Sequence, residues 1–359
     1  MDQFRGYTVP GMFAVNFLGA FTVTPGPLKH RDTYFSYADS MSHSSFFAVG
    51  FAYRLTFLRG VTSSGGGVNR RFWQRNARLI LLGAFMYLVP EAVQALMRSA
   101  PPALSVFLTQ AFREELFQTL VHIGVTALWI LTVIGARSAV RLAWACGSAG
   151  IHLALSHWFY YDWVTQVAGI DGGGVLGFLT WTIPMMDGSL GYDVVARHAE
   201  PGKAVRPLLV WGFGAMVLGY GLSCLNLVTP PNTLAEAGPV AWLVSPPFVP
   251  PAHPVNLWTM SQRAGSVSYL TFGAGWSLAV YAGFVWACDV GRRQIGIWRT
   301  LGTNAFAGYV IHEVVAWGFG PVLARRPPVG PVLLGLLIYL VVSYRCVRLL
   351  ERKGIHWRI

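Results

Sequence analysis

The sequence predicts an all-α integral membrane protein with ten or eleven transmembrane helices, arranged as one domain over residues 1–359. Three observations support this fold class. Hydrophobic residues make up 54% of the chain and charged residues only 12%, about half the charged share of an ordinary soluble domain. The apolar residues form blocks of about twenty, the length that a helix needs to cross a bilayer. The basic residues are concentrated in alternate connections between those blocks.

Ten apolar blocks can be read along the chain. In order, they lie at about 7–23, 43–59, 79–97, 116–136, 141–159, 173–190, 207–227, 264–287, 299–321 and 329–348. Most connections between them are short and rich in Gly, Pro or Arg, which favours a single polytopic domain. The first block has no cleavage site after it and further blocks follow, so we interpret it as a span and not as a signal peptide.

The distribution of positive charge predicts the orientation. If Met1 is cytoplasmic, the segments on the cytoplasmic side hold 20 of the 27 Lys and Arg residues, and the outer segments hold 7. Such an excess is the positive-inside pattern, so we expect both termini in the cytoplasm. The net charge of +12 then follows from topology, and we expect no nucleic-acid partner.

The composition also bears on the compartment. The four cysteines show no pairing pattern and no CxxC spacing, so we expect neither a disulfide framework nor a metal site. The chain contains no Asn-x-Ser/Thr acceptor sequence, and Arg outnumbers Lys 24 to 3. These features favour a bacterial inner membrane over a eukaryotic one.

Polar residues inside the blocks point to a function, because each costs about 2.5–3.5 kcal/mol at the bilayer centre on insertion scales. With a rise of about 1.5 Å per residue, Asn16 lies about 16 Å and His312 about 20 Å from the cytoplasmic surface. Both positions fall just beyond the midplane. The sequence therefore predicts one polar layer that contains Asn16 and His312.

Two further patterns extend this layer. Asn304, Gly308 and His312 are spaced i, i+4, i+8 and should form one helical stripe, and Gln118 and His122 form another i, i+4 pair. Hydrogen bonding between helices is the alternative for any of these residues, and for Asn16 and Asn304 it is equally acceptable. For four other histidines we favour that structural interpretation: His43, His152, His157 and His253.

Two outer segments stand out. In the first, over 24–42, Pro25-Gly26-Pro27 breaks the chain before His30, and we expect the break to fold His30 back toward the polar layer. His30 and His312 are the candidate acid-base groups, since imidazole titrates near neutral pH. The second segment, 228–263, carries eight prolines and predicts an extended cover.

Several motifs, in order, carry a resemblance to a known family. They are "DQFRG" at Asp2–Gly6, "AVNF" with Asn16, His30, "YAD" ending at Asp39, "LFQTLVHIG" with Gln118, "GIDGGGVLGFL" with Asp171, "VNLWTMS" with Asn256, Trp258 and Ser261, "LGTNAFAGYVIHEVV" with Asn304 and His312, and the final "HWRI". Together they resemble the heparan-α-glucosaminide N-acetyltransferase family of transmembrane acyltransferases. The resemblance covers nearly the whole chain. It implies a bacterial-type member of the family without the luminal N-terminal domain.

The resemblance implies an acetyl-CoA-dependent acyltransferase. Family members take acetyl from acetyl-CoA on the cytosolic side and deliver it to an amino sugar on the other side of the membrane. Matched by position, the catalytic His of the family falls on His30 and its catalytic Asn on Asn16. The resemblance also implies a homodimer within membrane lipid.

These expectations give each candidate residue a role. His30 would act as the base or as the acyl acceptor, with Asp39 or Asp32 orienting its ring and His312 as a second acid-base group. Asn16, with Asn304 as a further candidate, would stabilise the oxyanion. The candidate substrate-binding residues are Asn304, Asn256, Trp258, Ser261, Gln118 and His122. The candidate ligands of the acetyl-CoA phosphates are Arg5, Arg54, Arg75 and Arg78.

Two alternatives remain at this stage. The acceptor could be a glycan hydroxyl, which would make the protein an O-acyltransferase. A transporter or flippase for sugars or lipid-linked sugars would also bury His and Asn near the midplane. The sequence does not distinguish N- from O-acylation, or acetyl from longer donors.

Overall fold

The structure is a computed structural model that describes residues 1–64, 68–97, 102–167, 170, 172–228, 243–319 and 327–357. This part of the chain is helical with no strand, so the all-α prediction is confirmed. The helices are α1 (Asp2–Gly19), α2 (Tyr37–Ser64), α3 (Val68–Leu96), α4 (Leu104–Gln110), α5 (Thr119–Leu131), α6 (Ser138–Leu155), α7 (Tyr161–Thr165), α8 (Phe178–Arg197), α9 (Pro201–Cys224), α10 (Val267–Phe284), α11 (Gly296–Thr303), α12 (Ala305–Phe319) and α13 (Val329–Arg352). Shorter π-helical segments lie at Ala111–Glu115, Ser156–Tyr160 and Val285–Val290.

Each of the ten apolar blocks coincides with helical structure, but two boundaries differ from the prediction. The first helix ends at Gly19, before the Pro-Gly-Pro sequence, because the chain already turns over residues 20–25. The ninth block is divided at Asn304, where backbone angles of φ −118° and ψ 38° separate α11 from α12.

Among the described residues, four helical stretches are long and apolar enough to cross a membrane, which indicates a membrane protein. They are Asn69–Leu96 (α3), Pro201–Leu227 (α9 and the 3-10 segment after it), Val267–Val290 (α10 and the π-helical segment after it) and Val329–Arg352 (α13). The most apolar stretch of α10 is 61% buried inside the protein, against 17%, 22% and 28% for α3, α9 and α13. Helix α10 is therefore central, and the other three present most of their surface outward.

Helix α2, which carries several polar side chains, lies inside this assembly. It packs chiefly against α8 and also against α1 and α10, and its Ser40, His43 and Ser44 are completely buried. Because polar groups are costly in lipid, burial between helices explains how such a sequence can lie at membrane depth. Helix α2, which carries Asp39, thus differs from the peripheral apolar helices.

Glycines allow the closest helix contacts. A Cβ atom at Gly50 of α2 would overlap the carbonyl oxygen of Met185 in α8, and one at Gly188 would overlap that of Phe47. Only a residue without a side chain permits this approach, as at other contacts between membrane helices. The contact between α2 and α8 therefore holds α2, which carries Asp39, in a fixed position.

The described part of the proline-rich outer segment packs against the first outer loop. The backbone N–H of Phe35 donates to the carbonyl of Pro247 at 2.8 Å, and the Phe35 ring is fully buried near Phe248. Asp32 forms an ion pair with Arg263. Residues 243–266 contain no helix, as the prolines predict, while residues 229–242 lie outside the described part.

Candidate functional site

Asp39 occupies the first turn of α2 in a reciprocal cap. Its backbone N–H donates to Ser36 Oγ at 3.2 Å, and Ser36 N–H donates to Asp39 Oδ2 at 2.8 Å. This arrangement is a capping box with Asp at the third helical position. The sequence Ser-Tyr-Ala-Asp therefore starts α2 and fixes the carboxylate.

The other carboxylate oxygen of Asp39 faces His30. His30 Nδ1 lies 2.9 Å from Asp39 Oδ1; Asp39 is completely buried, whereas the His30 side chain is 33% exposed. An ionised carboxylate only accepts hydrogen bonds, so Nδ1 carries the proton and Nε2 carries the lone pair of the neutral ring. Asp39, and not Asp32, is thus the carboxylate that orients His30, because Asp32 pairs with Arg263.

The loop between α1 and α2 brings His30 to this position. Thr24 Oγ1 donates to the carbonyl of Leu18 at 2.6 Å, and Gly26–Leu28 forms a 3-10 turn. Leu28 packs against the apolar cluster that includes Phe17. The chain therefore returns onto the C-terminal end of α1, and the expectation that the Pro-Gly-Pro break folds His30 back toward the polar layer stays a prediction.

Asn16 and His312 form a second polar pair. Asn16 Nδ2 lies 3.4 Å from His312 Nε2, which agrees with the common depth predicted for them. His312 Nδ1 contacts the carbonyl of Tyr309, which can only accept, so Nδ1 carries the proton and Nε2 accepts from Asn16. Phe13 stacks on the imidazole with ring centres 4.7 Å apart. His312 is buried, whereas Asn16 is exposed.

Sequence reasoning missed Glu313 at this pair. Its Oε1 lies 3.5 Å from His312 Nε2. The Nε2 atom of His312 therefore contacts both the amide of Asn16 and the carboxyl group of Glu313. The hydroxyl of Tyr339 donates to the carbonyl of His312 at 3.4 Å, and Tyr309 contacts Tyr87 through their hydroxyls. An ionisable residue directly after His312 in an apolar block was the signal that could have identified Glu313.

Asn304 does not join this group. The helix break places Asn304 eight residues before His312, about 12 Å along the axis of α12 at the helical rise per residue. Its Oδ1 lies 3.1 Å from Nδ1 of His356 near the end of the chain. Because the backbone carbonyl of Asn304 accepts from Gly308 N–H at 2.9 Å, the predicted stripe runs along α12, and a role for Asn304 as a second oxyanion donor stays a prediction.

Gln118 and His122 lie at the start of α5. Gln118 Nε2 donates to the carbonyl of Glu114 at 3.0 Å. The buried His122 ring packs near Gly177, where a Cβ atom would lie 2.8 Å from Cε1. The carboxyl of neighbouring Glu115 has its pKa raised by burial and by the nearby carboxylates of Glu91 and Glu114. Substrate binding by Gln118 and His122 stays a prediction.

The candidates Asn256, Trp258 and Ser261 shape the loop before α10. Trp258 N–H donates to Asn256 Oδ1 at 2.9 Å, and Ala264 N–H donates to Ser261 Oγ at 3.0 Å. The carbonyl of Trp258 accepts from Ser268 Oγ at 2.7 Å. These bonds order the loop, and a substrate role for the three residues stays a prediction. Asp171 of the related glycine-rich motif lies outside the described residues.

The four candidate phosphate ligands lie at the opposite end of the helices. Arg5 pairs with Asp2, and Arg75 lies near enough to Arg5 for their charges to interact. Arg78 is exposed. Arg54 Nε donates to Asp193 Oδ1 at 3.1 Å, and its guanidinium also contacts the carbonyl of Ile134. Two protein partners thus already hold Arg54, and its role with phosphate stays a prediction.

Asp193 is a second residue that sequence reasoning missed. Its carboxylate binds Arg54 of α2 and the completely buried Arg141 of α6. Arg141 also donates to Ser189 Oγ at 2.7 Å. One carboxylate therefore joins α2, α6 and α8 through two guanidinium groups. A pairing of this kind was not evident from sequence, because Arg141 and Asp193 are 52 residues apart.

His43 illustrates the structural alternative. It is completely buried, its Nδ1 lies 2.9 Å from the carbonyl oxygen of Asp39, and its ring contacts Tyr269 and Trp181. The buried position between helices is the one predicted, but this hydrogen bond lies within α2 and does not join two helices. Among the described residues, no group of three or more His, Cys, Asp or Glu side chains could hold a metal ion.

Comparison with known proteins adds no name to this geometry. No protein-family model matches the chain, and no curated protein matches it. The arrangement itself defines a helical membrane protein that carries a carboxylate-oriented histidine and a separate Asn-His pair between its helices.

Proposed function

We propose that the chain is a transmembrane acyltransferase of the heparan-α-glucosaminide N-acetyltransferase type. It would move acetyl from cytosolic acetyl-CoA to an amino sugar or glycan on the opposite side of the membrane. The observation that carries this proposal is the pair of His30 and Asp39, since a base whose ring is held by a buried carboxylate is the arrangement that proton abstraction requires.

The chemistry follows from the position of the protons. Because Nδ1 of His30 is bound to Asp39, Nε2 is the atom that removes a proton from the attacking amine. The nitrogen–carbon bond forms, the carbon–sulfur bond of the thioester breaks, and the proton passes to the departing coenzyme A thiolate. The negative Asp39 stabilises the imidazolium that exists between these steps. An acyl-His30 intermediate is the second route to the same products.

Asn16 would stabilise the oxyanion of the tetrahedral intermediate. Its amide nitrogen has two hydrogens, and one is directed to His312 Nε2. The second can be donated to a developing oxyanion, which contributes about 3 kcal/mol when such a donor is well placed. His312 fixes the amide in this role and, with Glu313, supplies a further acid-base group at the same depth.

The proposal includes ten spans, cytoplasmic termini and a bacterial inner membrane. The excess of positive charge in alternate connections supports the orientation, and contacts between helix ends agree with the alternation of the spans. Asp32 and Arg263, both expected outside, pair with each other, and Arg54 and Arg141, both expected at the inner face, share Asp193. Reporter fusions at Ile359 and within the outer segment 243–254 test the orientation. An active periplasmic reporter at the C-terminus would contradict it.

The activity can be tested directly. Purified protein in proteoliposomes receives acetyl-CoA with a labelled acetyl group on one side and glucosamine-type acceptors on the other. We expect labelled N-acetyl product and free coenzyme A. Loss of label on treatment with hydroxylamine would indicate an ester and therefore O-acylation. Acceptor movement without release of coenzyme A would identify a flippase and contradict the proposal.

A further inference from the structure

The helix break at Asn304 carries a polar group that the proposed chemistry does not use. Asn304 is 1% exposed, and its Nδ2 has no hydrogen-bond partner among the residues that the structure describes. Buried amide donors are nearly always paired in folded proteins. An unpaired donor at the start of α12 therefore indicates an acceptor that a ligand supplies.

The amide oxygen of Asn304, unlike its nitrogen, has a partner, which is His356 after the end of α13. Helix α13 ends in a Schellman motif, in which Gly354 has φ +66°, Gly354 N–H donates to Glu351 O at 3.0 Å, and Ile355 N–H donates to Leu350 O at 2.9 Å. The left-handed glycine turns the chain back, so that His356 Nδ1 comes within 3.1 Å of Asn304 Oδ1.

The contact fixes which way the carboxamide points. Asn before a helix commonly uses its side-chain oxygen to cap the first turn. Here that oxygen is bound to His356, while the backbone carbonyl of Asn304 accepts from Gly308 N–H at 2.9 Å. With Oδ1 held by the tail, Nδ2 is directed away from the tail and toward the protein interior.

The surroundings are cationic and lie at the cytoplasmic end in the proposed orientation. Arg348 of α13 contacts Glu351 and donates to Thr300 Oγ1 at 3.3 Å. The N-terminal end of α1, with Arg5, packs against α11, where Gly6 leaves no space for a side chain beside Trp298. Arg348 and Arg5 each have a carboxylate partner, Glu351 and Asp2, and in the proposed orientation a ligand that enters here comes from the cytosol.

We propose that Asn304 Nδ2 donates a hydrogen bond to an oxygen of the cytosolic acyl donor, and that His356 is the positioning residue that orients this amide. This inference rests on the proposed acyltransferase function and assigns Asn304 to the donor side of the site. It separates Asn304 from Asn16, which acts on the reacting carbonyl about two helical turns away.

The first test is the affinity of the purified protein for coenzyme A, with the replacement Asn304→Leu. Leu has nearly the same size and removes the unpaired donor. We expect at least a tenfold weaker dissociation constant for coenzyme A, while the melting temperature without ligand stays equal or rises, because the buried orphan group is gone. Unchanged affinity for coenzyme A would overturn the proposal, whatever the melting temperature does.

The second test concerns His356. In His356→Phe the ring remains but the donor is lost, so we expect KM for acetyl-CoA to rise about threefold to tenfold with kcat within twofold. His356→Gln keeps a donor and should restore KM. His198→Phe is the matched control, since His198 bonds the carbonyl of Val194 at the end of α8, on the same face of the membrane. Equal KM in the wild type and His356→Phe, or no rescue by Gln, would overturn the role of His356.

The same measurements separate this inference from the proposed function. Absence of both coenzyme A binding and acetyl transfer in the wild type would end the proposed function and this inference with it. Normal transfer by the wild type with unchanged Asn304→Leu and His356→Phe variants would end this inference alone.

Discussion

The carboxylate of Asp39 serves two partners at once, since Oδ2 caps α2 through Ser36 while Oδ1 lies 2.9 Å from His30 Nδ1. The loop histidine is thereby tied to the most deeply packed end of a buried helix. Loop motion ordinarily leaves a side chain without a fixed orientation. The contact with Asp39 gives the His30 ring a fixed orientation. The pair thus combines an exposed base with a buried anchor, and it is the part of the site that mutation can test most directly.

Replacement of His30 by Ala should reduce acetyl transfer by about 10²- to 10⁴-fold, the usual contribution of a positioned general base. The side chain is partly exposed, so the melting temperature should change little. Transfer rates in proteoliposomes check this expectation. Lys29→Ala removes a neighbouring loop side chain and should keep near-normal activity. Full activity of His30→Ala would exclude His30 as base or acyl acceptor.

Asp39→Asn tests the orienting role. Asn can still accept the Ser36 N–H bond, but its amide cannot hold a protonated Nδ1, so we expect a loss of transfer of at least about a hundredfold. Ser36→Ala is the control, because it removes one half of the cap and leaves the contact to His30. It should cost about 1 kcal/mol of stability and retain activity below the melting transition. Similar activity of the two variants would contradict the orienting role.

Asn16→Asp tests the oxyanion role with an isosteric change. The variant has no N–H to donate, so kcat should fall about 10²- to 10³-fold, as for loss of one oxyanion donor. Asn69→Asp introduces the same change at an exposed position in α3 and should be neutral. Steady-state kinetics with acetyl-CoA provide the measurement. A selective rise in KM with unchanged kcat would place Asn16 in substrate binding instead.

Gly273→Ala should destabilise the protein, because a Cβ atom there would overlap the ring of His43. His43 is completely buried between α2 and α10 and cannot move aside, so the cost should be about 1–3 kcal/mol. Gly283→Ala lies on the same helix with nothing within 4 Å of a new Cβ and should be neutral or slightly stabilising. Thermal unfolding in detergent measures the difference. Equal melting temperatures would show that this contact is not tight.

Asp193→Ala should cost about 3–5 kcal/mol, because two largely buried guanidinium groups would lose their shared carboxylate. Glu200→Ala removes an exposed partner of Lys203 and should change stability by less than about 1 kcal/mol. The same unfolding assay compares them. An Asp193→Ala variant as stable as Glu200→Ala would mean that Arg54 and Arg141 find other partners.

Sequence patterns predict the all-α class of fold and the common depth of Asn16 and His312. Blocks of apolar residues set the helices because a helix must satisfy its own backbone hydrogen bonds wherever water is absent. The cap at Ser36 and Asp39 was not predicted, although its bonds join residues three apart and the pattern is therefore a local one. Counting residues placed Asn16 and His312 at one depth, and they lie in contact.

Which distant groups meet follows from helix packing and not from sequence patterns. The pairing of Asp193 with Arg54 and Arg141, the position of Glu313 beside His312 Nε2, and the reach of His356 to Asn304 depend on how helices pack and where one helix breaks. Helical periodicity places Asn304, Gly308 and His312 on one face, but it does not show that one helix ends at Thr303 and the next begins at Ala305. Sequence patterns describe which residues share a face or a depth on one helix. A hydrogen bond between two helices also depends on how each helix is rotated about its axis and how closely the two approach, and packing sets both.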